Sequence, residues 1–305
     1  MTNATFSILI TTKNRIKDLA FTLEKSRCLL ERGDVKCIIC DDGSMDDTSV
    51  FIQVNYPEIE LIQNKESKGL IYSRNRLLNL VETDFAISID DDLHFITENP
   101  LKIISDFFYK NPKVGVVGFR IFWSKSEPKE AMSFEQTIRM QSFAGGAHVF
   151  RMKAWREIPN YPDWFVFYGE EDFASYQLFK KNWEIHYLPE VLVNHRVNIK
   201  SRKNNPDYSL RLRRSLRSGW YLYLLFLPLQ YIPKKMAYSI WMQLKSKVFK
   251  GDWKALQAIV LALLDLVWNI PRIIKNINRL TQKEYYAYQK LEETKLYWRP
   301  ENESH

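Results

Sequence analysis

Short apolar runs closed by polar residues alternate, over the first two hundred positions, with segments whose apolar residues recur every three or four places. Phe6 to Thr12 is apolar and β-branched, and polar Lys13-Asn14-Arg15 separates it from a helical pattern over Ile16 to Leu30. Val35 to Cys40 predicts a second strand that runs straight into Asp41-Asp42-Gly43-Ser44. Asp46 to Ile52 predicts a capped helix, Ile59 to Ile62 a short third strand, and Ile71 to Leu80 another helix. Phe85 to Ile89 then predicts a strand that stops abruptly at Asp90-Asp91-Asp92. Strands alternating with helices imply parallel βαβ units, an α/β fold whose ligands sit beyond the carboxyl ends of the strands. Thr11-Thr12, Asp41-Asp42 and Asp90-Asp91-Asp92 all lie at such ends and are expected to converge on one crevice.

Three adjacent carboxylates repel and raise one another's pKa, so the triplet calls for a counter-ion, and a hard divalent cation suits it. No glycine-rich turn follows the first strand, which counts against nicotinamide-dependent enzymes and P-loop NTPases. The 305 residues are 46% hydrophobic with 10 Gly and 12 Pro, a globular composition large enough for one domain and an appendage. Cys37 and Cys40 form a CxxC pair, but side chains three apart on a strand point to opposite faces, so neither zinc nor redox chemistry follows. An odd count of three cysteines suits a reducing compartment, the cytoplasm, and the opening Met1 to Thr5 lacks the pattern of a signal peptide.

Charge divides the chain. Residues 1–199 carry 24 Lys/Arg against 28 Asp/Glu, whereas residues 200–299 carry 20 against 6. With the turn-prone stretch Lys203 to Asp207, this predicts a catalytic domain over 1–200, split near residue 95, and a basic, aromatic-rich helical region over 201–305.

Thr11-Thr12-Lys13-Asn14-Arg15, Asp41-Asp42-Gly43-Ser44, Asn64 through Gly69 to Arg74-Asn75, and Asp90-Asp91-Asp92, in that order and spacing, resemble glycosyltransferase family 2. The resemblance implies a GT-A fold, a mixed and mostly parallel sheet flanked by helices. It also implies a nucleotide-sugar donor, a UDP-sugar first among them, a Mn²⁺ or Mg²⁺ ion, and inversion at the anomeric carbon. It puts Thr11, Thr12, Asn14, Arg15, Lys68, Arg74 and Asp91 on the donor, and Asp41 or Asp42 on its base. Asp90 and Asp92 match the ends of the family's DxD element and would ligate the metal together with His195, the family's late histidine. Gly145 and Gly146 resemble the small residues beneath the acceptor. Glu170-Glu171-Asp172 resembles the catalytic acid element, which names Asp172 as general base and Glu171 as its alternate. The family's next acid and later arginine are replaced here by Ala174 and neighbouring residues, which leaves acceptor recognition open.

Beyond Lys200, the apolar runs Trp220 to Ile232 and Ala255 to Ile270 are bracketed by Arg211 to Arg214, Lys234-Lys235, Arg272 and Lys275. Each run is shorter than the ~20 residues a bilayer requires and is interrupted, by Pro228 or Asp265. Basic flanks with Trp and Tyr suit a segment lying on an anionic membrane surface, so the expected setting is the inner face of the cytoplasmic membrane. The acceptor is then a glycan or lipid-linked glycan, as in surface polysaccharide synthesis, and the aromatic tail offers a homodimer interface. Cations interleaved with long aliphatic runs, and no recognition motif, argue against nucleic acid. A catalytically inactive scaffold, or a membrane-surface binding protein, is the competing reading.

Overall fold

The computed structural model describes residues 4–197 and 207–299. The strands are β1 (Phe6–Thr12), β2 (Val35–Asp41), β3 (Glu60–Gln63), β4 (Phe85–Asp90), β5 (Leu93–Phe95), β6 (Val114–Trp123), β7 (Ile138–Arg139), β8 (Ala147–Arg151) and β9 (Glu184–His195). Between them lie α1 (Ile16–Leu30), α2 (Thr48–Asn55), α3 (Leu70–Leu80), α4 (Pro100–Lys110), α5 (Met152–Arg156) and α6 (Glu170–Lys180). The later helices are α7 (Tyr208–Phe226), α8 (Ile232–Ser246), α9 (Trp253–Trp268), α10 (Ile270–Lys275) and α11 (Gln282–Gln289).

One sheet runs β3-β2-β1-β4-β8-β6-β9-β5, with β7 paired to β9. β1 to β4 are mutually parallel, as the alternating pattern requires, and β6 runs parallel to β9. β8 runs antiparallel to β4 and β6, and β5 antiparallel to β9. The chain leaves β1 toward β2 on one side and returns to β4 on the other, so β1 flanks a switch point where a crevice opens. Register aligns the polar clusters there: Thr12 stands beside Asp41 and Thr11 beside Asp90.

Each strand feeds two cores by simple alternation. Ile8, Ile10, Cys37 and Ile39 pack with α1 and α4, while Leu9, Ile38 and Cys40 pack with α3, α5 and α6. Cys37 and Cys40 therefore face opposite sides of the sheet, as the strand periodicity demanded.

The helical region is built onto this second core. Tyr221, Leu222, Leu225 and Phe226 of α7 are buried with Phe165, Phe173 and Leu178, whereas Leu216 and Trp220 on another side of α7 pack against α9. Pro228 separates α7 from α8, and Asn269 alone separates α9 from α10, whose first turn carries Pro271, so each apolar run is divided between two helices or ends at such a break. Among the described residues, no helix is long and apolar enough to cross a membrane. The proposed boundary at Lys200 to Pro206 lies outside the described residues. After α11 the chain returns to the sheet, where the Trp298 N–H donates to the Ile121 carbonyl at 2.6 Å.

Candidate active site

The triplet ends β4 because Asp90 is the last residue the ladder holds, its N–H donating to the Gly146 carbonyl at 3.0 Å. The next two carboxylates are claimed by Arg15, whose guanidinium lies 2.8 Å from Asp91 Oδ1 and 2.7 Å from Asp92 Oδ2. Thr12 Oγ1 also donates to Asp91, at 2.8 Å. Burial nevertheless pushes Asp91 up to about 7, with Arg15 opposing it. Asp92 is also raised by burial, but His195 and Arg15 outweigh that effect and hold it below the usual carboxylate range.

β9 delivers His195 to this point through its pairing with β5, where His195 stands opposite Leu93. His195 Nε2 lies 2.9 Å from Asp92 Oδ1 and 3.7 Å from Asp90 Oδ2. Ligand atoms of Asp90, Asp92 and His195 all fall within 4.8 Å of one another. Asp92 Oδ1 is buried and makes no well-directed hydrogen bond despite the nearby imidazole, as a ligand atom awaiting a cation would. Two carboxylates and an imidazole fit Mn²⁺ well and Mg²⁺ less well.

Arg74 joins this trio to a second group of acids. Its guanidinium, almost fully buried, donates to Asp90 Oδ1 (3.1 Å), Glu170 Oε1 (2.9 Å), Glu171 Oε1 (3.4 Å) and the Gly145 carbonyl (2.9 Å). A buried arginine with this many acceptors organises the site, because each acid would otherwise be costly to bury. Burial first, and then the charge of Glu170, push Glu171 up to about 8. Gly145 and Gly146 leave room that any side chain would fill. A Cβ on Gly145 would sit 1.7 Å from Glu171 Oε1, and one on Gly146 2.9 Å from Asp90 Oδ2.

Glu170, Glu171 and Asp172 occupy the first turn of α6, which suits the helix dipole. Successive residues on a helix diverge by about 100°, so the three acids diverge as well. Asp172 turns to Ser142 and the tyrosines at 176, 223 and 288. It is open to solvent on one side yet surrounded by protein on the others, and lost hydration raises its pKa against the hydrogen bond from Ser142.

The loop after β2 is held by its own aspartates. Asp42 accepts hydrogen bonds from Asn64 Nδ2 (2.7 Å), Ser67 Oγ (2.6 Å), Lys68 N (2.8 Å), Gly69 N (2.9 Å) and Ser73 Oγ (3.2 Å). Asp41 turns to Ser44 N (2.9 Å) and to the Ser49 hydroxyl. Gly43, at φ +73°, is obligatory, since a Cβ there would meet Ser67 N at 2.8 Å. Asn14 ties this loop to the one after β1, accepting from Met45 N at 2.7 Å while its own N–H donates to Ser44 Oγ.

Thr11, Thr12, Lys13, Arg15, Asp42, Asp90, Asp91, Asp92 and His195 line one cavity of about 360 Å³. Arg74 and Gly146 bond Asp90 of that lining, and Arg74 in turn bonds Glu171 and Gly145. Asp41, Asn14, Lys68 and Asp172 do not line it, and Lys68 points outward to pair with Glu66. A roomier recess of about 600 Å³ beside α1 and α4 gathers only Asp34 and Glu98 as acids. Phe167 and Arg211 join Leu70, Ser73 and Val197 in the rest of the cavity wall, and neither was assigned to it from the sequence. The basic run Arg211 to Arg214, expected to flank a membrane segment, is partly spent internally. Arg211 reaches the cavity and Asp207, while Arg213 and Arg217 both bind Asp265 of α9. Arg196 was also missed. It donates to the Asp18 carbonyl and Thr22 Oγ1, and its backbone N–H bonds the Asp92 carbonyl at 2.9 Å.

The family model described as Glycosyl transferase family 2 matches residues 7–176. Among solved structures, GalNAc-T7 with UDP, GalNAc and Mn²⁺ aligns with a TM-score of 0.60 at 13% identity, covering 88% of this chain and 57% of that one. S. aureus TarS 1–349 gives 0.56 at 15% identity, covering 90% and 83%. The mannosyltransferase PcManGT from Pyrobaculum calidifontis, in complex with GDP-Man and Mn²⁺, gives 0.55 at 12% identity, covering 95% and 79%. The chain thus spans under two thirds of GalNAc-T7 and 40% of the longer TarS chain. No curated protein matches it in sequence. At these identities the likeness is one of fold, and that fold is the GT-A arrangement implied by the motifs.

Proposed function

Because the chain belongs to glycosyl transferase family 2, we propose that it transfers a sugar from a nucleotide-diphosphate donor to a hydroxyl of a glycan or lipid-linked glycan, inverting the anomeric carbon. A UDP-sugar is the favoured donor. Solved structures of TarS hold UDP and UDP-GlcNAc, and GalNAc-T7 holds UDP, whereas PcManGT holds GDP-Man. The observation that carries this reading is Arg74, which ties a metal-type trio to a carboxylate of raised pKa across a glycine floor. A donor and an attacking hydroxyl need those two features side by side.

Asp90, Asp92 and His195 would hold Mn²⁺ or Mg²⁺, which when bound supplies positive charge for the departing diphosphate. Arg15 presents guanidinium donors at the same mouth, a fork suited to phosphate oxygens. Thr11, Thr12 and Asp42 line the part of the cavity nearest β1 and β2, where the nucleoside fits. Gly145 and Gly146 admit the acceptor close to the backbone. The general base is Glu171 in this reading and not Asp172, because Glu171 shares Arg74 with Asp90 while Asp172 faces Ser142. Its Oε1 takes the acceptor hydroxyl proton as the oxygen attacks, and Arg74 holds the carboxylate toward the glycine floor. The enzyme works in the cytoplasm, peripheral to the inner face of the membrane.

Purified protein assayed against a panel of nucleotide sugars with Mn²⁺ should release the nucleoside diphosphate with at least one. Glu171→Gln should lower transfer by about 10²–10⁴ while leaving nucleotide binding intact. Loss on Asp172→Asn with Glu171→Gln fully active would hand the role to Asp172. Absence of any nucleotide binding would support an inactive scaffold instead.

A further inference from the structure

Helix α9 is apolar on both its inner and its outer side. Its small residues Ala255, Ala258 and Ala262 are fully buried with Ile259 against Leu216 and Trp220 of α7, Leu256, Leu263 and Leu266 are half-buried beside them, and five other large residues face solvent. Trp253, Val260, Leu264, Val267 and Trp268 are 49 to 84% exposed, and Ile270 and Ile274 carry the same stripe across the break into α10. A helix of a protein surrounded only by water buries its large apolar side chains and exposes its polar ones. The outer side here leaves an apolar stripe without an internal partner, and stripes of that size mark contact surfaces.

Charge identifies what covers it. Residues 229–283 contain ten Lys/Arg and two acids, Asp252 and Asp265. Both acids are used within the protein. Asp265 holds Arg213 and Arg217, and Asp252 caps α9 while accepting from the Tyr208 hydroxyl at 2.7 Å. Lys250 and Lys254 are exposed at the start of the stripe, and Arg272 and Lys275 at its end. Exposed Phe249, in an edge-to-face pair with Trp241 at 6.0 Å, extends the apolar surface beside Lys250. A second copy laid along this stripe by a two-fold axis would set the cations of one end against those of the other, which is repulsive. A bilayer surface bearing anionic headgroups meets both needs at once. Large aliphatic and indole groups enter the headgroup boundary while lysines remain at phosphate level.

We propose that the outward stripe of α9 and α10 seats the protein on an anionic lipid surface, with Trp253 at its start and Trp268 at the junction of the two helices. The inference rests on the glycosyltransferase reading only for its purpose, which is to hold the crevice near a membrane-borne acceptor.

The test is flotation of the full chain with vesicles of phosphatidylcholine alone or with about 30% phosphatidylglycerol, at low salt and at about 0.5 M NaCl. The expected result is binding at least about tenfold stronger to the anionic vesicles, weakened by salt. Leu264→Glu with Trp268→Glu should lower that binding by at least about tenfold, and Lys250→Glu with Lys254→Glu by several-fold. Both variants should keep the wild-type melting temperature and UDP affinity, since neither pair touches the crevice or the core. Wild-type protein that stays with the aqueous phase, or charged variants that float like wild type, overturns the proposal. So does a change from dimer to monomer in the Leu264/Trp268 variant without any vesicle effect, which would assign the stripe to a second copy. UDP binding without flotation sinks this inference alone, whereas flotation without nucleotide binding sinks the catalytic reading alone.

Discussion

The crevice and the outer face of α9 treat costly side chains in opposite ways. At the crevice, six carboxylates gather at the ends of β4 and α6, and two arginines compensate five of them: Arg15 holds Asp91 and Asp92, and Arg74 holds Asp90, Glu170 and Glu171. On the outer face of α9, Trp253, Val260, Leu264, Val267 and Trp268 stay exposed, while alanines and Ile259 fill the space beneath. Buried charge must be answered within the chain, because desolvation is too expensive to leave open. Exposed apolar surface costs less and can be left for something outside to cover.

Breaking the internal compensation should have the largest consequence. Arg74→Met leaves three acids unanswered, and it should lower stability by about 3–5 kcal/mol and transfer by more than about 10³. Thermal unfolding and donor turnover would measure both, and turnover within tenfold of wild type would contradict the organising role given to Arg74. The proposed base comes next. Activity should rise with pH through the region of pH 8, because Glu171 accepts a proton only once it has lost its own. The residual activity of Glu171→Gln should lack that rising limb, and a profile unchanged in shape would point to another base.

Gly145→Ala probes the glycine floor. Its methyl would collide with Glu171 Oε1, so a fall in kcat of about 10–100-fold with unaltered UDP affinity is expected. Asp265→Asn, away from the crevice, removes the shared partner of Arg213 and Arg217 and should cost about 1–3 kcal/mol of stability without affecting UDP binding. Burial raises the Asp265 carboxyl, but the two arginines prevail and hold it below its ordinary value. Its contribution is therefore present above the unfolded pKa of about 4 and is lost as the solution is acidified below it. A wild-type melting curve for the variant at neutral pH would argue against that anchor. The smallest effect is expected at Gly219, inside α7 with nothing within 4 Å of an added Cβ. Gly219→Ala should stabilise by about 0.4–1 kcal/mol, in contrast to Gly145→Ala.

Much of the crevice was readable because a parallel sheet sends every strand's carboxyl end to the same edge. Thr11-Thr12, Asp42 and Asp90 to Asp92 meet there as expected, and α1 spans Ile16–Leu30 as its periodicity predicts. Readability failed where a single rotation or a distant segment decides. Asp41 and Asp42 are adjacent, yet Asp42 lines the cavity while Asp41 turns to Ser44 and Ser49. Glu171 and Asp172 are adjacent, yet only Glu171 reaches Arg74. Arg211 looks like any other cation of a basic run until α7 is laid against the cavity mouth.

The order of strands and helices, the acid-bearing strand ends and the division of charge along the chain are local properties, written in spacing and residue type. Which acid meets which arginine, and which side of α9 faces water, depended on packing between segments as much as a hundred residues apart. Local periodicity states only that a side has apolar groups; close packing of α7 against Ala255, Ala258, Ile259 and Ala262 decides which of the apolar sides goes in.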